Sequence, residues 1–391
     1  MNIHVISQIY SPEPAGIFVT DLVERWIRQR HRVTVWTASA SAEPTGAHIV
    51  RLSRRAEYDR KSIVSRARTQ VLFSGQAALG LARRHLPAES PDVALVVGSP
   101  ALAAALPILS YLRDSGRIIQ WVYDLYPEAL SALGPHNVVV RLMRRPIETI
   151  LNFSWRRADV VVAISPHMAQ LIRKRVPTAN VQMIPLWARP EVRPRSDRAD
   201  RIRKSRGIAP DAFVVMYHGN LGLAYEFEPL LRGARLLAGE PVFVLAIVGE
   251  GAQLDTIRAR VAREQLPNVR IFPPVSSHEL ADSLAMADCH VIGLREGWNG
   301  IAFPAKFITA AAAARPIIAL SPSDTELTDV IRREGCGLVI GLDADAFADS
   351  VRFLQTNPER AREQGAAGHS LYDRQFHQDL AFARWDALIG S

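Results

Sequence analysis

Two series of short, almost wholly apolar runs, each alternating with helical patterns, constrain this chain more than any other feature. The first series is Ile3–Ile6, Arg32–Thr37, Val93–Val97, Ile118–Tyr123, Val160–Ile164 and Val181–Ile184. Helical spacing falls between them, as in Phe18–Arg28 and His167–Arg175. The pattern pauses at Pro190–Arg206, which is rich in Pro, Arg and Asp and reads as a linker plus a short polar helix. It restarts with Phe213–His218, Val242–Val248, Val269–Phe272, His290–Gly293, Pro316–Leu320 and Gly337–Ile340. Runs without period-two alternation are those of parallel strands covered on both faces. The expected fold class is therefore α/β, with two doubly wound Rossmann-like domains in series facing across a deep interdomain cleft. Sheets of this kind bind ligands beyond the carboxyl ends of their strands.

A chain of 391 residues is long for one core, in keeping with two domains. Its 48% hydrophobic and 22% charged residues are ordinary for a globular protein. Cys289 and Cys336 form no metal or disulfide pattern and read as core thiols. The start MNIHVISQIY lacks the basic and apolar regions of a signal peptide. The longest apolar stretch, Val96–Leu112, is broken by Ser99, Pro100 and Pro107 and reads as strand end, turn and buried helix. These features predict a cytoplasmic protein.

Charge is uneven. Residues 1–190 hold 24 Lys and Arg against 13 Asp and Glu, while the remainder holds 23 against 26. The excess gathers at Arg51, Arg54, Arg55, Arg60, Lys61, Arg66 and Arg68, and again at Arg141, Arg144, Arg145, Arg156 and Arg157. Leu142, Met143, Ile147, Ile150, Leu151, Phe153 and Trp155 interleave with the second group. A basic, aromatic-bearing amphipathic helix suits an anionic membrane surface, and equally suits a solvated helix face. No helix-turn-helix, zinc or RNP pattern accompanies the charge, so nucleic acid is not an expected partner.

Several loops at strand ends carry ligand chemistry. Gln8–Gly16 follows the first run and leads into a helix, with Gly16 placed to let a phosphate or sugar approach the backbone. His218-Gly219-Asn220-Leu221-Gly222 follows the first run of the second half, and its two glycines suggest a nest of open amides for an anion. Gly249-Glu250-Gly251 follows the next run and opens a helix. In FPAKFITAAAAARPIIAL, from Phe303 to Leu320, Lys306 stands in the first turn of a small-residue helix. Helix dipole, free N–H groups and ammonium there suit a diphosphate. No G-x-G-x-x-G or G-x-x-x-x-G-K-[ST] is present, which argues against a nicotinamide dinucleotide and a P-loop. Asp343-Ala344-Asp345 mimics a metal-binding D-x-D, but its setting before Phe347–Leu354 is that of a helix N-cap. Ser165-Pro166-His167 lacks partners for a hydrolase triad.

The order of QIYSPEPAGIFVTDL, WVYDLYPEAL, ADVVVAIS, IPLW, YHGNLG, IVGEGAQL, ADCHVIGL and FPAKFITAAAAARP resembles the retaining glycosyltransferases of family 4, with the GT-B fold. It is most similar to the colanic-acid and amino-fucose transferase type, and the likeness covers essentially the whole chain. The resemblance implies an acceptor-binding domain over 1–190 and a nucleotide-sugar-binding domain over 191–370. It further implies that 371–391, with Tyr372, Phe376, Phe382 and Trp385, is a helix crossing back to the first domain. Gly219, Asn220, Gly222, Gly249 and Lys306 would hold the donor diphosphate, and the base would lie near Phe272-Pro273-Pro274-Val275. Two positions that are acidic in many relatives are Asn299 and Thr309 here, which hydrogen-bond a sugar without the strengthening charge. The usual Gly before the Arg-Pro pair is Ala314, the usual Asn before Trp187 is Leu186, and Arg189 replaces an acid. Leu223, Ala224 and Tyr225 stand where relatives carry Arg and Lys, leaving Lys306 as the main phosphate cation.

The mechanism implied is departure of the diphosphate with retention. The leaving oxygen accepts the acceptor's proton, while Lys306, the helix N-terminus and the glycine turn stabilise its charge. Asp124, at a strand end, is the candidate for sugar or acceptor binding or for a base, with a turn cap before Pro127 as the alternative. Glu296 is a candidate for orienting the sugar, or a surface acid. His218 is a candidate donor contact, whereas His136 and His167 read as structural. The expected activity is transfer of a hexose or deoxy/amino-hexose from a nucleoside-diphosphate sugar, without metal or other cofactor. The acceptor is a saccharide, lipid-linked at the inner membrane face, or a natural-product scaffold. A nucleotide-sugar epimerase and a catalytically degenerate binding subunit are the alternatives.

Overall fold

The computed structural model describes residues 1–390 apart from 12–15, 40–45, 54, 56–62, 83–90, 99–115, 134–137, 196–198, 241 and 277–278. The expectations for His136, Arg54, Arg60, Lys61 and the apolar segment beyond Gly98 lie outside the described residues. The chain forms two compact units. One is Met1–Pro185 with Gly300–Phe303 and Phe382–Ser391, and the other is Leu186–Asn299 with Pro304–Ala381.

The first unit is built on a seven-stranded sheet of β1 (Asn2–Ile6), β2 (Arg32–Thr37), β3 (His48–Arg51), β4 (Val93–Val97), β5 (Arg117–Val122), β6 (Val160–Ala163) and β7 (Val181–Met183). Their order is β3-β2-β1-β4-β5-β6-β7, and every pairing is parallel. All residues of β1, β4 and β6 are buried, which is why those segments show no alternation. The strand order reverses between β1 and β4, the topological switch point of a doubly wound sheet. The edge strand β3 has no fully buried residue, so His48–Arg51 carried no apolar run for the sequence to reveal.

The end of the chain completes this unit. Trp385 is buried edge-on against Trp26 and Trp121, with ring centres 6.4 and 4.7 Å away. Arg25 donates to Asp386 at 2.5 Å, and Arg117 donates to the carbonyl of Leu388 at 2.6 Å.

The second unit carries a six-stranded parallel sheet of β8 (Phe213–His218), β9 (Phe243–Val248), β10 (Val269–Phe272), β11 (Cys289–Gly293), β12 (Ile317–Leu320) and β13 (Gly337–Val339). The order β10-β9-β8-β11-β12-β13 again switches direction beside the unit's first strand. Helix Glu228–Leu236 packs so closely on helix Ala344–Thr356 that a Cβ at Gly233 would lie 2.4 Å from the Phe347 ring. The linker region contains the expected short helix, Ala199–Ser205, but the helix is anchored rather than solvated, because Arg203 is only 6% exposed. No helix among the described residues is long and apolar enough to cross a membrane.

Candidate functional site

In the second unit, the loops after β8 and β9 interlock. Gly219, Gly249 and Gly251 have φ of 109°, 148° and 150°, the region that favours glycine. A Cβ on Gly249 would lie 2.0 Å from the Gly219 carbonyl oxygen, and one on Gly251 would lie 2.7 Å from Asn220 Oδ1. The Leu221 amide donates to the Glu250 carbonyl at 2.7 Å, and Gln253 Nε2 donates to the carbonyls of Gly222 and Tyr225 at 2.7 and 3.0 Å. The Tyr217 hydroxyl donates to the Asn220 carbonyl at 2.9 Å. The turn's amides are partly used within the unit. The Gly219 amide is spent on Val248 O at 2.8 Å, and Leu221 is spent on Glu250. The amides of Asn220 and Gly222 remain without a partner among the described residues.

Lys306 reaches this turn from helix Ala305–Ala312, which Pro304 caps. Its Cε and Nζ lie 3.3 and 3.7 Å from where a Gly219 Cβ would be. Burial pushes the ammonium's pKa down to about 7. Beside it, His218 Nε2 is buried without a hydrogen-bond partner. Burial, reinforced by Lys306 and Arg206, pushes this imidazole down to about 4, so it is neutral near pH 7. His290 behind it is pushed to about 3 by burial, with His218 and Arg315 adding to the effect. A lysine, a neutral imidazole and two open amides thus gather at the carboxyl end of β8, a set that matches a phosphate's oxygens.

The small residues of the Lys306 helix serve close packing. A Cβ on Gly365 would lie 2.3 Å from Ala314 O, and one on Gly368 would lie 3.6 Å from Ala311 Cα. Thr309 bonds its own helix, donating to Lys306 O at 3.1 Å. Asn299 is a brace: its Nδ2 donates to Asp324 O and its Oδ1 accepts from the Glu326 amide, both at 3.0 Å. Both ends of the carboxamide are used within the unit, each with one bond. Val275 follows β10 and is half-buried, while Glu296 is exposed on the loop after β11.

In the first unit, Gly16 caps helix Ile17–Arg28 with φ of −73°. A Cβ there would lie 2.4 Å from the Tyr10 backbone, so close packing within the unit accounts for a glycine at this position. Asp124 is exposed just beyond β5 and lines a small cavity with Gly98, Gln120, Tyr126 and Trp155. Ser165 caps helix Pro166–Arg175, accepting from the Met168 amide at 3.3 Å. His167 packs against Gly300. In the second unit, Asp343 accepts from the amides of Asp345 and Ala346 at 2.8 and 3.0 Å, the helix cap expected of this D-x-D. Sequence reasoning missed Tyr225 as a partner of Lys306. Its only signal was an aromatic residue three positions after Gly222.

Residues 15–191 match the model of Glycosyltransferase Family 4, and residues 212–357 match that of the Glycosyl transferases group 1. The chain belongs to the family-4 glycosyltransferases. Among curated members, the probable glycosyltransferase WbjE of Pseudomonas aeruginosa is 27% identical over 71% of this chain and 69% of its own length. The putative colanic acid biosynthesis glycosyl transferase WcaI of Escherichia coli is 28% identical over 43% of this chain and 42% of its own. Solved structures agree on the GT-B fold of this family-4 chain. Sucrose-phosphate synthase from Thermosynechococcus elongatus superposes with a TM-score of 0.77 at 17% identity, covering 99% of this chain and 98% of its own. HepE from Anabaena, in complex with UDP-glucose, gives 0.73 at 12% identity, covering 100% and 99%.

Proposed function

We propose that this family-4 enzyme of polysaccharide biosynthesis moves a hexose or deoxy/amino-hexose from a nucleoside-diphosphate sugar to a saccharide acceptor, with retention and without a metal. The observation that carries the reading is the meeting of Lys306, the unpartnered His218 Nε2 and the free Asn220 and Gly222 amides at the end of β8. Such a cluster stabilises charge on a departing diphosphate, the main electrostatic demand of the reaction. The UDP-glucose held by HepE, a protein of the same fold, supports a nucleotide sugar as donor. In this reading the second unit binds the donor, with Val275 near the base and Glu296 near the sugar. The first unit binds the acceptor, with Asp124 holding a hydroxyl or taking its proton. The acceptor is a lipid-linked saccharide presented at an anionic membrane surface, where the protein is peripheral, on the cytoplasmic face.

Calorimetry with UDP, GDP, ADP and dTDP on wild type and Lys306→Ala tests this. Tight binding of one nucleotide, weakened at least ~30-fold by the substitution, is expected from losing a charge-assisted contact. Absence of binding by all four would overturn the donor site.

A further inference from the structure

Lys306 is one of four lysines in a chain whose other basic residues are all arginines. Its ammonium has no carboxylate partner among the described residues, and loss of hydration lowers its pKa. What faces it is aromatic. Nζ lies 3.6 Å from the centre of the Tyr225 ring and 5.1 Å from that of Tyr217. Besides these two phenols, the charged and titratable groups near it among the described residues are His218, which is neutral near pH 7, and Arg206 beyond His218. The Tyr217 hydroxyl is committed to Asn220 O.

Tyr225 is fixed by its backbone. Its amide donates to Gly222 O at 3.1 Å, its carbonyl accepts from Gln253, and its ring meets Tyr217 edge-on at 6.0 Å. The residues on either side are held by Arg295, whose amide donates to Ala224 O and whose guanidinium pairs with Glu226 at 3.1 Å. These bonds fix the backbone that presents the ring to Lys306. An aromatic face attracts a cation through its quadrupole and so opposes the cost of desolvating the ammonium.

We propose that Tyr225 is a positioning residue for Lys306, its ring holding the ammonium charged at the mouth of the Gly219–Gly222 turn until an incoming diphosphate takes it over. The role in donor capture rests on the donor-site reading above. The role in holding the lysine does not. Incoming phosphate oxygens replace a weak aromatic contact with a charge-assisted one, so the lysine transfers without an ion pair having to break.

The test uses protein labelled with ¹³C at lysine Cε, whose four resonances are assigned by loss of one in Lys306→Arg. Titration between pH 5 and 10 is compared for wild type, Tyr225→Phe and Tyr225→Leu, and nucleotide affinity is measured at pH 7. The expected result is that Phe titrates as wild type, and Leu moves the Lys306 midpoint down by roughly one pH unit and leaves the other three lysines unmoved. Affinity should fall about tenfold in Leu and be restored in Phe. An unmoved midpoint in Leu, or the same loss in Phe as in Leu, overturns the proposal. If Leu does not fold, Tyr225→Met carries the same comparison. If wild type binds none of the four nucleotides, the donor reading fails while the titration still decides the role of Tyr225.

Discussion

Arg203 donates to Asp288 at 2.7 Å, and the same carboxylate oxygen accepts the amide of Val214, the second residue of β8, at 2.8 Å. The guanidinium also donates to the carbonyls of Met286, Pro210 and Ala212. One buried arginine thus ties the linker helix to the start of β8, the interior strand that ends in the candidate site. Removing one partner of a buried pair leaves the other charge uncompensated. Asp288→Ala should therefore destabilise the second unit by about 2–4 kcal/mol, and Asp288→Asn by less, since its amide oxygen still accepts from Val214. Denaturant unfolding of both variants measures the difference, and equal losses would mean that charge is not the source.

Ala314 adopts φ of 53°, a left-handed conformation in a residue with a Cβ. It follows the Lys306 helix and precedes the Arg-Pro pair, where family resemblance places a glycine. The left-handed region costs an alanine roughly 1–2 kcal/mol, of which the greater freedom of unfolded glycine returns part. Ala314→Gly should stabilise the protein by about 0.5–1 kcal/mol. A thermal melt that fails to rise would argue that the turn is relaxed at alanine.

Asn299 braces the loop before Pro304 by accepting from the Glu326 amide and donating to Asp324 O. Asn299→Ala should cost about 1–2 kcal/mol through the two lost bonds. Asn299→Asp should cost a similar amount, because a carboxylate keeps the first bond and repels the Asp324 carbonyl. In neither variant should nucleotide affinity move more than about threefold, under 1 kcal/mol. A larger loss of affinity without loss of stability would show that Asn299 contacts the donor.

The sheets were legible because their strands are buried on both faces and their apolar runs are continuous, as in Val160–Ala163. Strand β3 escaped because none of its four residues is fully buried. The site was only partly legible. Glycines at 219, 249 and 251 marked positive φ and close approach, but which amides stay open depends on carbonyls about 29 residues away, those of Val248 and Glu250. Gly16 shows the same ambiguity from the other side, since a missing Cβ makes room equally well for a ligand or for the chain's own backbone. Lys306 stood out as a cation at a helix start, whereas its aromatic partner sits 81 positions earlier and has no spacing rule to betray it.

Burial sets the Lys306 ammonium near pH 7, well below the ordinary 10.5 of lysine. Below about pH 7 the free protein already carries the charge that a diphosphate needs. Above it, binding must take up a proton, and affinity falls. Between pH 7.5 and 9 the dissociation constant of the bound nucleotide should rise by up to about tenfold per unit, and Lys306→Ala should flatten the profile. The window is chosen above the phosphate's own titration near pH 6. Calorimetry in buffers of different ionisation heat also counts the proton. No uptake at pH 8 would show that the lysine is charged before the nucleotide arrives.

Helix Val138–Arg157 keeps Leu151 and Trp155 in the core and turns an unusual face outward. Val138 and Leu142 are 57% and 70% exposed, Phe153 is 36% exposed, and at helical spacing they share one stripe with Arg145 and Arg156. Arg141, Arg144 and Arg157 are also exposed, the last lying 5.2 Å over the Phe153 ring. Apolar tips beside guanidinium groups fit an interface of acyl chains and anionic headgroups better than they fit water. Each basic residue near such a surface contributes about 1 kcal/mol, so charge reversal at Arg144, Arg145, Arg156 and Arg157 should reduce partitioning to anionic vesicles by at least about a hundredfold. Leu142→Ser with Phe153→Ser should weaken it without changing its salt dependence. Flotation with phosphatidylglycerol and with neutral vesicles separates the two contributions. Binding that survives the charge reversal, or that ignores vesicle charge, would mean this face is merely solvated.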